Sequence, residues 1–269
     1  MKLLKNILLV ILMAAAAACV QNKKLIYLQN FDQDPELADG ALISYEMPDY
    51  RLQYNDIIDV KVQTRDEQVN KEFAGTTQAS NPMMAGQLAQ GGGDIYYMTG
   101  YSVNKAGEIR LPILGSINVQ DKTLEEVRLL VEEELKSYAK NDVFVKVKLG
   151  GIRYSALGEF RRPGKFVVLQ DRMTILEAIA NAGDLTTVAQ RDEVVLIRQY
   201  PDGTRVHRLN LNDRNLIRSP FYFIQPNDQI YVEPMKVREF GTGENAAQSL
   251  SIFITSLTAV ALVLNLITN

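Results

Sequence analysis

Few residues in this chain could carry chemistry. Histidine occurs once, at His207, cysteine once, at Cys19, and tryptophan not at all. A catalytic triad or a histidine-based metal site needs partners that a lone His207 does not bring. Its place between Val206 and Arg208 in an alternating run reads as an ordinary surface strand residue. The three glycines at Gly91, Gly92 and Gly93 suggest a phosphate cradle, but no Lys-Ser/Thr pair follows them and no strand–loop–helix surrounds them. The basic Arg161-Arg162-Pro163-Gly164 stretch reads either as a contact for an acidic sugar or, more simply, as a solvated turn. Carboxylates are plentiful, yet a linear sequence does not pair two of them across a cleft, so a hydrolytic dyad has no support. The expectation is a protein that is not an enzyme and holds no cofactor or metal.

Cys19 requires its own account. Residues 1–18 have the anatomy of a secretory signal peptide: Lys2 and Lys5, a short apolar run over Ile7–Met13, then alanines. A single cysteine cannot close an internal disulfide. Its position directly after small residues fits a lipoprotein processing site, with Cys19 acylated as the first mature residue. Ala16 stands where such sites usually carry Leu. The other reading is an ordinary signal peptide cut within the alanine run. The formal net charge of −3 argues against a nucleic-acid partner.

The elements that would position a site come next. Residues 19–48 read as a polar, acidic spacer without a period. In 58–62, Ile58, Val60 and Val62 alternate with polar residues, the pattern of a half-buried strand. Residues 75–94 are rich in Gly, Gln, Ser, Thr and Met and read as a loop. Gly107 marks a turn between strands and Pro112 a strand end. Thr123 and Glu126 form a capping box, after which Leu124, Val127, Val131, Leu135 and Tyr138 keep one apolar face of a helix. Val143, Val145, Val147 and Leu149 alternate again. A second capping box at Thr174 and Glu177 opens a helix contacting through Ile175, Leu176 and Ile179, with Gly183 just past its end. Asp202-Gly203 marks a hairpin. "LQYNDIIDV" at 52–60 and "IQPNDQIYV" at 224–232 share a Q-x-N-D turn feeding an apolar strand. The fold class is therefore α+β, with two small sheet-plus-helix domains at 49–149 and 150–235, then a linker at 236–248.

Residues 249–269 have no charged side chain. A helix of about 19 residues at ~1.5 Å each spans ~28 Å, close to the hydrocarbon thickness of a bilayer. Ser249, Ser251, Thr255, Ser256, Thr258 and Asn265 read as scattered around this helix. A buried core helix, a lone anchor and a packed, oligomerising membrane helix all remain open; small Ala, Ser and Thr residues favour the last.

Taken together, "YRLQYNDIIDVKV", "YSVNKAGEIRLPILGSINVQDKTLEEV" and "NDVFVKVKL" resemble the export domain of the outer-membrane polysaccharide export family. That domain typically reads Y-x-L-x-x-G-D-x-I, then G-x-I-x-L-P-x-x-G-x-I-x-V-x-G-x-T-x-x-E. Here Asn55 and Asp121 stand at two of the glycine positions. "SALGEFRRPGKFVV", "TILEAIANAGDL" and "DEVVLIR" resemble the family's SLBB domain, a β-grasp module. The resemblance implies an outer-membrane lipoprotein anchored at Cys19, with its bulk in the periplasm. Such proteins assemble as homo-oligomeric rings and receive a capsular or extracellular polysaccharide from an inner-membrane polymerase and a co-polymerase, a tyrosine-kinase-type partner. A C-terminal helix from each subunit, here 249–269, would contact outer-membrane lipids and line the channel. The alternative is a membrane-anchored carbohydrate-binding or adaptor protein that does not conduct.

Overall fold

A computed structural model describes residues 22–31, 40–45, 49–77, 95–139, 142–236, 251–252 and 254–262. The signal peptide, Cys19, the glycine run at 91–93, Ser249 and Asn265 lie outside the described residues. The architecture is α+β: among the described residues of 22–236 it is built from several small sheets and four short α-helices.

In the first unit, β1 (Ile57–Thr64) lies between β2 (Tyr101–Ser102) and β5 (Val143–Leu149), antiparallel to both. The expected alternation holds across the β1–β5 pair, where Ile58, Val60 and Val62 stand opposite Leu149, Val147 and Val145. It fails at the start of β1, where Ile57, Ile58, Asp59 and Val60 are all buried. There α2 (Ile95–Thr99) covers the second face. Gly100 and Gly150 let the chain pass so close that a Cβ at either would crowd Ile57. β3 (Glu108–Leu111) and β4 (Gly115–Asn118) form a hairpin, and Pro112 sits in its turn, where a missing N–H costs nothing.

α3 (Leu124–Leu135) starts at the predicted capping box, with both reciprocal bonds between Thr123 and Glu126 made. It packs Val127, Val131 and Leu135 against the sheet, whereas Tyr138 falls beyond its end and is exposed. α1 (Glu67–Thr77) was not expected. The Asp66 carboxylate caps it by accepting from the Gln68 and Val69 N–H groups, and Val69 and Phe73, one turn apart, supply its buried contacts. The loop expected over 75–94 thus begins inside this helix, and its remainder lies outside the described residues.

The second unit is a five-stranded sheet in the order β7-β6-β12-β9-β10. It comprises β6 (Ile152–Gly158), β7 (Gly164–Val168), β9 (Val194–Tyr200), β10 (Gly203–Leu209) and β12 (Asp228–Val232). β6 and β12 run parallel and the other pairs are antiparallel. A two-stranded ribbon of β8 (Met173–Thr174) and β11 (Phe223–Ile224) lies beside it. α4 (Ile175–Asn181) opens at the second capping box, and Gly183 follows its C-cap with φ 81°, as the sequence predicts. Buried Tyr154 on β6 donates to the Ala178 carbonyl at 2.7 Å and accepts from Asn181, which ties helix to sheet. The β9–β10 turn is Pro201-Asp202, because Tyr200 pairs with Gly203; it sits one residue before the predicted Asp202-Gly203. Arg162 caps α4 by donating to the Asn181 carbonyl, so the Arg161–Gly164 turn has a structural task.

One hydrophobic cluster runs through both units, from Leu52, Ile58 and Leu149 to Ile152, Tyr154 and Ile230. Residues 22–31, expected as part of a spacer, are docked on the second unit. Leu28 N–H donates to Leu211 O, the Arg214 N–H donates to Gln29 O, and Gln29 bridges Asp213. The Tyr27 hydroxyl donates to Asp184 at 2.7 Å while Arg191 lies 5.3 Å from its ring. Burial and the Asp184 bond push the Tyr27 phenol up to about 12. This order comes from backbone pairing and two anchoring contacts, neither of which leaves a period in the sequence.

Of the membrane helix expected at 249–269, residues 251–252 and 254–262 are helical. No helix among the described residues is long and apolar enough to cross a membrane.

Candidate functional site at the junction of the two sheets

The two sequence echoes fold alike and meet. In the first, Asn55 takes φ 72°, so the chain doubles back. Asp56 N–H donates to the Gln53 carbonyl, and the Asp56 carboxylate accepts from Gln53 N–H at 2.8 Å. In the second, Asn227 takes φ 67°, Asp228 N–H donates to the Gln225 carbonyl, and the Asp228 carboxylate accepts from Gln225 N–H at 2.7 Å. The Asn227 amide then reaches across to Asp56 at 3.5 Å, and its N–H donates to the Arg153 carbonyl.

The glycine departures noted above have a reason here. Asn55 and Asp121, at φ 72° and φ 59°, both occupy the left-handed region. Asn and Asp are the non-glycine residues that tolerate it best. The remaining residues of the first motif build the junction: Leu52 and Ile58 are in its core, and the Tyr50 hydroxyl donates to Asp56 at 2.6 Å.

Both aspartates are closed to solvent, at 1% and 0% exposure. Asp228 is held by a bidentate pair with Arg198, at 3.0 Å from Nε and 2.7 Å from Nη2. Burial pushes its carboxyl above the ordinary value and the Arg198 charge opposes this. Arg198 also donates to the Phe223 carbonyl and lies 5.6 Å from the Phe221 ring. His207 stacks on that same ring at 4.0 Å and bonds Tyr200, so it is more tightly held than a plain surface strand residue. Burial, then Arg198 and Arg205, lower its pKa. Sequence reasoning missed Arg198 and Tyr50. The available signal was Arg198 at an inward register position of the apolar run Val194–Ile197, which demands a buried acid.

Asp56 has no bidentate partner. Burial pushes its carboxyl from 3.8 up to about 6, against the bonds from Tyr50 and Gln53 and the charge of Arg153. A carboxyl raised in this way destabilises the fold when ionised. Below pH 4 it is protonated in both states. Between about pH 4 and 6 the folded chain keeps a proton that the unfolded chain releases, so stability falls as pH rises and then levels. The difference amounts to at most about 3 kcal/mol. Asp56→Asn keeps an acceptor for Gln53 N–H and removes the charge. We expect the stability gap between variant and wild type, followed by urea unfolding, to widen in favour of the variant from pH 4 to 6 and stay constant above. A gap independent of pH refutes this.

Beside the junction, a cleft of about 1030 Å³ opens between the units, lined by the α3 start, Tyr45, Asp49, Tyr50 and the loop leading into β12. Asp56 and Asp228 are buried at the junction, and the acids that line the cleft itself are Asp49, Glu125 and Asp171.

Of the tail's expected site residues, Ser249 and Asn265 lie outside the described residues. A helix advances ~100° per residue, so Ser251, Thr255 and Thr258 share one face while Ser256 lies on the other side. Thr255 Oγ1 donates to Ser251 O at 2.7 Å and Thr258 Oγ1 to Ile254 O at 2.7 Å, so both hydroxyl protons are satisfied within the helix.

Two comparisons with known proteins bear on the first unit and beyond. Residues 44–149 match the sequence model of the family described as polysaccharide biosynthesis/export protein. A curated relative, the EPS I polysaccharide export outer membrane protein EpsA of Ralstonia nicotianae, is 30% identical over 163 residues, covering 59% of this chain and 41% of the relative. The aligned part therefore spans about two fifths of that relative's length.

Proposed function

We propose, from the match of residues 44–149 to the sequence model of the polysaccharide biosynthesis/export protein family, that the chain is the outer-membrane component of a capsular or extracellular polysaccharide exporter. It works without bond chemistry, as a homo-oligomeric ring whose passage carries the polymer from periplasm to surface. An inner-membrane co-polymerase of the tyrosine-kinase type delivers the polymer. The match over 44–149, on a motif whose residues build the buried junction, carries this reading.

Other observations support its parts. Counting only the strands of the five-stranded sheet in chain order, their spatial order is 2-1-5-3-4 with a parallel pair β6–β12, an order that supports reading 150–235 as a β-grasp SLBB domain. The docked segment begins at Asn22, three residues after Cys19. From there a short path of backbone bonds leads to the exit toward the tail: Leu28 to Leu211, Leu211 to Arg191, Gln190 to Glu233, and Met235 to Val188. Segment 22–31, which follows Cys19, and Met235, which precedes the tail, are thus tied to the same unit by backbone bonds. One acyl chain alone binds reversibly, and two attachments make the anchorage stable.

Deleting the chain from its cell tests the reading. Polymer should disappear from the surface and accumulate inside, and the wild-type chain should restore export. Unchanged surface polymer overturns it. Mass spectrometry of the restored protein should find a diacylated Cys19 as first residue, and Cys19→Ser should leave the signal peptide uncut.

A further inference from the structure

We propose that the cleft between the two sheets is a saccharide-binding subsite that holds a short run of sugar units of the exported polymer; the choice of cargo rests on the export reading above. The cleft's volume, about 1030 Å³, is at the upper end of the ~300–1,000 Å³ typical of ligand pockets, enough for more than one sugar ring. Tyr45, 47% exposed, and Phe223 stand 5.4 Å apart at 54°, and Arg172 lies 5.9 Å from the Phe223 ring. Aromatic side chains lining such a space offer apolar surface of the kind that the C–H face of a pyranose meets.

The polar lining suits hydroxyls. Asp49 and Asp171 offer acceptors, and Arg172 and Arg218 offer forked donors. A sugar hydroxyl both gives and takes a hydrogen bond, so it is matched by a lining that carries both kinds of group. The acids Asp49, Asp171 and Glu125 outnumber the two arginines, although Asp171 and Glu125 also pair with Lys148 and Arg128, so the cleft is not a trap for polyanions. The site is also built on a rigid base. The Phe223 carbonyl is held by buried Arg198, and Gln225 N–H by buried Asp228. The groups that would meet the sugar are therefore set by the junction beneath them.

The test uses the intact protein in detergent and short oligosaccharides released from the polymer that the same cells display. The chain has no tryptophan, so Phe223→Trp places its sole indole in the cleft. The oligosaccharides should shift the indole emission and saturate. Arg172→Ala should bind them about tenfold more weakly, the loss of one charged hydrogen-bond donor, with an unchanged unfolding midpoint. Should Arg172→Ala lose its unfolding transition, Asp49→Asn at the exposed rim decides in its place, again by weaker binding. A silent indole, or wild-type affinity in both variants, overturns the subsite. If no oligosaccharide binds while the chain still restores surface polymer to the deletion strain, the subsite falls and the export reading stands. If deletion leaves surface polymer unchanged, the export reading falls and takes the subsite with it.

Discussion

Arg198→Met should lower the stability of the fold by about 3–5 kcal/mol, the largest loss expected from any single exchange at the junction. The reason is the group left behind. Arg198 and Asp228 have side chains only 4% and 0% exposed. Without the guanidinium, Asp228 is a buried carboxylate whose remaining donor is the Gln225 N–H, and the Phe223 carbonyl loses a donor as well. The ion pair itself is worth far less than this, because removing two charges from water costs nearly what their attraction returns. Arg198→Met combined with Asp228→Asn should therefore cost less than Arg198→Met alone: the amide oxygen still accepts from Gln225 and no charge is stranded. Urea unfolding of the intact protein measures all three. A double variant as unstable as the sum of its parts would show that shape, not charge, sets the requirement. The same variants should weaken oligosaccharide binding in the cleft, since Phe223 and Gln225 line it.

The contrast between what could be read in advance and what could not is plain at this junction. The two Q-x-N-D stretches were visible as text because a turn is a local object: its left-handed Asn, its Asp and the Gln N–H that caps it lie within four residues. The capping boxes at Thr123 and Thr174 were legible for the same reason, and the alternation of β5 because it meets a single buried face. What the text did not show is which distant groups meet. Nothing near Asp56 in sequence announces Asn227, and nothing near Asp228 announces Arg198, thirty residues earlier. The docking of residues 22–31 was hidden in the same way, since it uses backbone groups that every residue possesses. α1 was missed for a different reason. Among its described side chains the exposed face is polar and only Val69 and Phe73 are buried, too few to print a period, although the Asp66 cap was there to be noticed. The cleft could not have been anticipated at all, because it exists only where the two units come together.

The tail offers the second large effect, and its geometry allows two outcomes to be told apart. Ser251, Thr255 and Thr258 mark one face of the helical stretch, while Val260 lies nearly opposite Ser251, at about 180° given ~100° per residue. If copies of residues 249–269 pack into a channel, the Ser/Thr face borders water or a neighbouring helix and Val260 faces lipid. Lys at Val260 should then cost about 2.5–3.5 kcal/mol of membrane insertion, whereas Lys at Thr258 should cost much less. Inserted protein in the outer-membrane fraction, compared across single Lys exchanges from 250 to 267, reads this directly. Equal penalties on both faces would describe a helix surrounded by lipid, which anchors the protein and lines nothing. Thr255→Val and Thr258→Val refine the point. Both hydroxyl protons are already bonded to the helix's own carbonyls, so lipid tolerates them and their loss should leave insertion unchanged. Only a polymer moving past the hydroxyl oxygens would register the change, as slower export. Exchange of the whole tail for an unrelated membrane helix is the decisive form. On the proposed export reading, export should fail while the protein remains in the outer membrane; normal surface polymer would reduce the tail to an anchor that lines no passage.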